Sequence, residues 1–202
     1  MNVTLIGSTG RTGRHVLAEA LRRGHRVTAF TRDAAALPVE PHAVVEGDGR
    51  DLEKMRTAVA GAGAVISIIN GGDSGDPHRA AQATRTVIQA MTETGVRRLV
   101  VTTPYPIVAR RPYPLMWLLR RLLATPYADA RDLEQTVSAS DLDWTIARLT
   151  RLTDRPATGA VAIHRGLLAR PRALTRADVA RTLLDIAQET HLSGVAVNIH
   201  GR

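Results

Sequence analysis

Gly7, Gly10 and Gly13 stand three residues apart in Gly7-Ser8-Thr9-Gly10-Arg11-Thr12-Gly13, directly after a β-branched apolar run and directly before an amphipathic stretch. Each glycine has a task in a strand–turn–helix unit. One allows a tight turn, one lets the backbone approach a pyrophosphate, and one lets the helix pack closely on the strand. The helix start then presents unpaired N–H groups and the positive end of its dipole, which favours a phosphate. The chain therefore opens with a predicted pyrophosphate cradle at Gly7, Thr9, Gly10, Arg11, Thr12 and Gly13.

The end of the second predicted strand carries a further signal. A site for NAD tends to place an acidic residue about 20 positions beyond the glycines to bind ribose hydroxyls, whereas an arginine accommodates a 2′-phosphate. The residue 19 positions after Gly13 is Arg32, in Phe30-Thr31-Arg32-Asp33. A guanidinium there predicts NADP (NADPH), through a charge-assisted contact. Arg11 is expected on the other side of that phosphate, and Asp33 is the alternative that would turn toward a ribose.

Short β-branched runs alternate with helical stretches along the rest of the chain. Strands are predicted at residues 3–6, 26–31, 43–46, 64–69, 99–102, 145–149 and 195–199, and helices at 14–23, 52–60, 78–94, 115–124, 129–139 and 175–189. Thr175 with Asp178 three residues on reads as a capping pair. The alternation implies βαβ units and a parallel sheet. The predicted fold is α/β, a doubly wound sheet of the Rossmann type. It forms one domain over residues 1–202, with about 150–202 as a small extension on the substrate side. Two proline-rich loops, 104–114 and 151–156, follow the fifth and sixth strands, where open α/β sheets bind ligands.

Composition narrows the function classes. The chain has 202 residues and no cysteine, so disulfides, thiolate nucleophiles and cysteine–zinc sites are excluded, and redox chemistry needs a bound cofactor. The formal charge of +8 is almost entirely arginine, Lys54 being the sole lysine, and it is spread through every segment. With aromatics at 3 % and no basic stripe, the charge reads as affinity for a phosphorylated small molecule, not for nucleic acid. No apolar run reaches the roughly 20 residues of a membrane span, and no signal peptide is visible at the start. A cytoplasmic monomer or homodimer with a small-molecule substrate is expected. The seven histidines are dispersed, with no metal-ligand spacing, so no metal site is predicted.

Several blocks together resemble the atypical short-chain dehydrogenase/reductases of the NAD(P)H-binding, NmrA-like group, which includes biliverdin-reductase-B-like flavin and quinone reductases. They are Gly7–Gly13, Gly24-His25-Arg26-Val27-Thr28, Gly47-Asp48-Gly49-Arg50-Asp51, Ala64-Val65-Ile66-Ser67 and Gly95-Val96-Arg97-Arg98-Leu99. Ser140-Asp141-Leu142-Asp143-Trp144 through Arg148, Leu152-Thr153-Asp154 and Thr175-Arg176-Ala177-Asp178 continue the match over about residues 1–190. The resemblance implies that Asp48 lies near an adenine ring. It also implies that Ile69, Asn70 and Gly71 pass the ribose and nicotinamide, and that Thr102 and Thr103 face the nicotinamide end. The group usually has Arg-Pro where this chain has Arg148-Leu149, which puts the shape of the following loop in question.

The wider superfamily uses a tyrosine with a lysine four residues on as proton donor. Here the nearest echo is Tyr127 with Arg131, in the lysine's place; with Thr103 they are the catalytic candidates. The group also reduces flavins without such a pair, and then Tyr105 and Tyr113 would wall the pocket. Residues 115–123, Leu-Met-Trp-Leu-Leu-Arg-Arg-Leu-Leu, read first as a core-packed helix, with a substrate lid or a dimer or membrane-surface contact as the other readings. The expected function is hydride transfer from NADPH to a small, partly apolar carbonyl, quinone or flavin-like acceptor. A non-catalytic redox sensor and a non-redox isomerisation or cyclisation remain as alternatives.

Overall fold

The computed structural model describes residues 1–69, 71–72, 74–109, 117–118 and 121–202. In chain order the elements are β1 (Asn2–Ile6), α1 (Gly13–Arg22), β2 (Arg26–Thr31), β3 (Ala43–Glu46), α2 (Leu52–Val59), β4 (Ala64–Ser67), α3 (Arg79–Thr94) and β5 (Arg98–Pro104). They continue with α4 (Ala124–Ser138), β6 (Asp143–Leu149), β7 (Leu152–Thr153), β8 (Val161–His164), β9 (Leu174–Thr175), α5 (Arg176–Gln188) and β10 (Val195–Gly201).

Eight strands form one sheet in the order β3-β2-β1-β4-β5-β6-β10-β8, parallel throughout except for β8, which runs antiparallel to β10. The order reverses between β1 and β4, so the chain winds outward in both directions from that point, as in Rossmann-type folds. Successive strand residues go to opposite faces. Leu5, Ile66, Val100 and Val197 pack with Leu17 of α1 and Leu183 of α5, while Ile6, Val65, Leu99 and Ile146 pack with Met55, Val87 and Leu133 of the other three helices. Covering both faces explains why the central strands are apolar without alternation. Helix α1 meets its face through Gly13, Val16, Leu17 and Ala20, a stripe at 3.6-residue spacing.

Residues 150–202 form part of the sheet and of its core. Strand β10 enters the main sheet beside β6, and α5 packs against α1, so this segment completes one side of the core. Thr175 caps α5 as expected, its hydroxyl oxygen accepting from the Asp178 N–H. The Asp178 carboxylate in turn accepts from the N–H groups of Thr158 and Gly159. Burial pushes that carboxyl up, but these hydrogen bonds outweigh it and hold it below the usual carboxylate range. Strands β7, β8 and β9 were not expected; they are two to four residues long and exist only through distant partners.

Two expectations are corrected. Helix α4 begins at Ala124, five residues before the predicted 129, because Pro126 falls in the first turn, where its missing N–H breaks no intrahelical bond. The core-packed reading of residues 115–123 does not hold where the structure describes them. Trp117, Leu118, Leu122 and Leu123 are all exposed, Leu122 by 70 %. Arg121 is exposed as well, while Leu115, Met116, Leu119 and Arg120 lie outside the described residues, as do Asn70 and Tyr113.

Candidate dinucleotide-binding cleft

A cleft of about 300 Å³ opens at the carboxyl ends of β1, β2 and β4, where the strand order reverses. Its floor is the glycine loop. Gly7 has φ +85°, a conformation that L side chains rarely adopt, and a Cβ there would come within 2.2 Å of the Ile68 carbonyl oxygen. A Cβ on Gly13 would stand 2.0 Å from the Gly7 oxygen, so the first turn of α1 packs directly on the loop. Gly10 differs: its added Cβ would meet only the Gly7 oxygen, at 3.2 Å, and otherwise faces open space in the cleft lining. Two glycines are thus required by the protein's own backbone, and the third keeps room for something else.

The N-terminus of α1 has no side-chain cap; the Arg14 and His15 N–H groups turn back onto the Gly10 and Thr12 carbonyls instead. Thr12, at the N-cap position, makes no side-chain capping bond, and the first turn has no acidic residue. The α2 end is different, since the Asp51 carboxylate accepts from the Lys54 N–H. Thr9 and Gly10 line the cleft beside the uncapped α1 end.

The far wall is cationic. Arg32, Arg50 and Arg79 line the cleft together with Asp48 and Asp76. Arg50 is ion-paired with Asp76, and Arg79 donates to the Gly71 carbonyl. Arg32 is exposed and makes no hydrogen bond or ion pair among the described residues. Asp33 is absent from the lining; its carboxylate accepts from the Ala35 N–H and caps a short 3-10 turn. Asp48 accepts from the Arg50 N–H, which holds its carboxylate at the cleft edge.

Arg11 lies elsewhere than expected. Its guanidinium pairs with Asp154 at 2.7 Å, and Asp154 also takes Arg176 at 2.6 Å. Arg11, assisted by Arg176, holds the Asp154 carboxyl below the usual range. Arg11 is thus absent from the cleft lining that Arg32 joins, and it ties the glycine loop to the segment after β6.

On the other side, Ile69 lines the cleft and Gly71 runs against the first turn of α4, where a Cβ would come 2.8 Å from the Pro126 oxygen. Asp129 of α4, 1 % exposed, receives the N–H of Gly72 at 2.7 Å and those of Ala80 and Ala81 at 2.9 Å. One carboxylate thus fixes both the loop after β4 and the start of α3. Sequence reading missed it because its partners are about 50 residues away.

Among the described residues no hydrogen bond or ion pair joins the three catalytic candidates. Tyr127 lies inside α4, packed with Ile107 and Ala130, and burial pushes its phenol up. An arginine partner would lower it, but Arg131 is exposed one turn on and does not act on it. Tyr105 is buried, its hydroxyl accepting from the Leu168 N–H. Thr102 and Thr103 end β5, both buried, and Thr103 donates its hydroxyl hydrogen to Glu134 at 2.6 Å. Glu134 is clasped by Arg148 through Nε at 2.9 Å and Nη2 at 2.6 Å. Arg148 is marked by the resemblance, but its pairing with Glu134 carries no signal in the sequence; 14 positions separate them, and only the packing of α4 on β6 joins them.

Glycine cradle, uncapped helix end and unpaired arginine at a topological switch point define a Rossmann-type nucleotide-binding protein. The chain belongs to the NAD(P)H-binding family, whose model matches residues 7–190. Among curated relatives it is 31 % identical over 106 residues to the uncharacterized protein YwnB of Bacillus subtilis, covering 50 % of this chain and 46 % of that one. It is 32 % identical over 94 residues to an isoflavone reductase homolog of Zea mays, covering 40 % and 30 %. The matches thus span about half or less of those relatives. Solved structures share the whole fold at low identity. A short-chain dehydrogenase/reductase from Veillonella parvula in complex with NADP has a TM-score of 0.83 at 19 % identity, covering 98 % and 94 % of the two chains. ChuY, an anaerobillin reductase from Escherichia coli O157:H7, has 0.81 at 23 %, covering 100 % and 97 %. Among the described residues no helix is long and apolar enough to cross a membrane.

Proposed function

We propose that this chain is an NADP(H)-dependent oxidoreductase that reduces a small, partly apolar carbonyl, quinone or flavin-like acceptor. The observation that carries the cofactor preference is the unpaired Arg32 guanidinium at the cleft while Asp33 is turned away to cap Ala35. A 2′-phosphate satisfies Arg32; a carboxylate aimed at ribose hydroxyls would have favoured NAD. The open space over Gly10 and the uncapped end of α1 fit a pyrophosphate between Thr9 and Thr12. A bound nicotinamide dinucleotide supplies the hydride. The chain's own residues bind its phosphates at Gly7–Gly13, hold adenosine beside Asp48 and Arg32, and carry the reactive end past Ile69–Gly71 toward Thr102 and Thr103.

Tyr127 with its raised phenol is a poor donor at neutral pH, so this reading takes the proton from solvent, with positioning supplying most of the rate. Residues 150–202 border the acceptor's space, through Asp154 on the glycine loop and Leu168 on Tyr105. The raised Tyr127 phenol, on which Arg131 does not act, favours as second reading an NADP(H)-binding sensor without turnover. The test is calorimetric titration of wild type and Arg32→Ala with NADPH and NADH. The variant is expected to lose about 1–3 kcal/mol for NADPH and almost nothing for NADH. Equal losses would sink the 2′-phosphate assignment. NADPH oxidation with quinones, flavins and aromatic ketones then separates enzyme from sensor.

A further inference from the structure

Resting on the dinucleotide reading for its location, we infer that Arg148 is the acceptor-binding group of the site, and that its clasp by Glu134 selects uncharged carbonyl compounds over anionic ones. By register Thr103 pairs with Arg148, and Arg148 with Asn198. Val101 pairs with Ser67, so Thr103, two residues on, stands level with Ile69, which lines the cleft. The three side chains share one face of the sheet at the carboxyl ends of β5, β6 and β10, the ligand end of such folds.

The guanidinium presents two edges. Nε and Nη2 are bound side-on by Glu134, whose carboxylate also takes the Thr103 hydroxyl hydrogen. Nη1 makes no hydrogen bond among the described residues, and it is not one of the sealed, unpaired atoms of the interior. The Arg148 side chain is 19 % exposed and Glu134 12 %. Arg148 therefore offers a rigid donor edge to solvent, oriented by a carboxylate from α4. Thr103 cannot be that donor while its hydrogen points at Glu134.

Charge then decides the ligand class. The positive charge of Arg148 is cancelled by Glu134 at contact distance, and Thr103 and Asn198 are neutral. A second carboxylate would meet a pair with no net attraction, whereas a carbonyl or quinone oxygen needs only the free N–H donors. Arg148 does not give up a proton; it stabilises negative charge developing on that oxygen. Glu134 is a positioning residue, acting through Arg148.

The probes are menadione, a neutral quinone, and 2-naphthoate, an aromatic carboxylate, titrated by calorimetry into cofactor-free protein and into protein saturated with NADP. Wild type is expected to bind menadione more tightly than 2-naphthoate. Arg148→Lys keeps a cation for Glu134 but lacks the second edge. It should weaken menadione about tenfold or more, with the NADPH affinity and the urea unfolding midpoint held. Glu134→Gln frees the charge of Arg148 and should reverse the preference toward 2-naphthoate, a change that a merely structural role for Glu134 would not produce. Absence of menadione binding by wild type, full menadione affinity in Arg148→Lys, or an unchanged preference in Glu134→Gln would each overturn the inference. Loss of NADPH binding by wild type would strike the dinucleotide reading instead, since the probe titrations without cofactor read Arg148 alone.

Discussion

Helix α1 follows β1 and helix α3 follows the loop after β4, and these two strands are hydrogen-bonded neighbours at the point where the sheet order reverses. The two helices leave toward opposite faces, each with its N-terminus at the ligand end of the sheet. Their first N–H groups find different acceptors, a buried carboxylate at α3 and only backbone carbonyls at α1. At α3, the Asp129 carboxylate accepts from Gly72, Ala80 and Ala81 and is itself almost wholly buried. At α1, the N-cap Thr12 contributes no side-chain bond, no acidic residue follows, and Gly10 leaves space above the turn. Both ends have the same attraction for an anion. One is closed by the protein's own carboxylate, and the other is met only by backbone carbonyls of its own turn, the contrast on which the proposed pyrophosphate site rests.

The contrast can be broken most severely at the closed end. Asp129→Ala leaves three N–H groups without their acceptor and should destabilise the chain by about 3–5 kcal/mol in urea unfolding. Asp129→Asn keeps one oxygen and should cost roughly half as much. A loss below about 1 kcal/mol for the alanine variant would show that water replaces the carboxylate easily, and the two ends would no longer differ in kind.

The glycines sharpen the comparison from the open end. Gly13→Ala drives a methyl group into the Gly7 carbonyl and should cost about 2–3 kcal/mol. Gly10→Ala should cost under about 1 kcal/mol in stability yet abolish NADPH binding in calorimetry, because its Cβ enters the ligand's space. Retained binding in Gly10→Ala would mean that the pyrophosphate does not pass over this turn.

Helix α1 is anchored at its other end, where Glu19 accepts from Arg22 and Arg23, and Arg23 also reaches Asp185 of α5. Chiefly through the Arg22 hydrogen bond, the Glu19 carboxyl is lowered from 4.5 to about 2. A depressed carboxyl contributes stability that is present above its unfolded value and lost as pH falls through its folded one. Glu19→Gln should therefore cost about 1–2 kcal/mol at pH 7, after allowance for the exposure of Arg22, and the difference from wild type should fade between about pH 4.5 and 2. Chemical unfolding across that window measures it, and a pH-independent difference would assign the effect to packing.

The smallest expected change is the most direct exchange of one end for the other. Thr12→Asp places a carboxylate at the open N-cap, as Asp129 does for α3. It should raise stability by about 0.5–1 kcal/mol while suppressing NADPH binding. Gains in both, or losses in both, would separate the cap from the ligand site.

Part of this site was legible because its requirements are local. Gly7 and Gly13 are demanded by a turn and by one helix packing on it, and the position of Arg32 follows from the length of one helix and one strand. These distances lie within about 25 residues, where spacing along the chain translates into position through helix rise and strand length. The alternation of strands and helices, and hence the doubly wound sheet, was readable for the same reason. What tertiary structure alone decided is which partner each polar side chain found. Asp33 turns to cap Ala35, Arg11 leaves the cleft for Asp154, Asp129 reaches across to α3, and Glu134 joins Thr103 to Arg148. A charged side chain pairs with whatever the packed elements bring within about 3 Å, and that follows from the docking of α4 and of the 150–202 segment on the sheet, for which no short-range spacing in the sequence stands proxy.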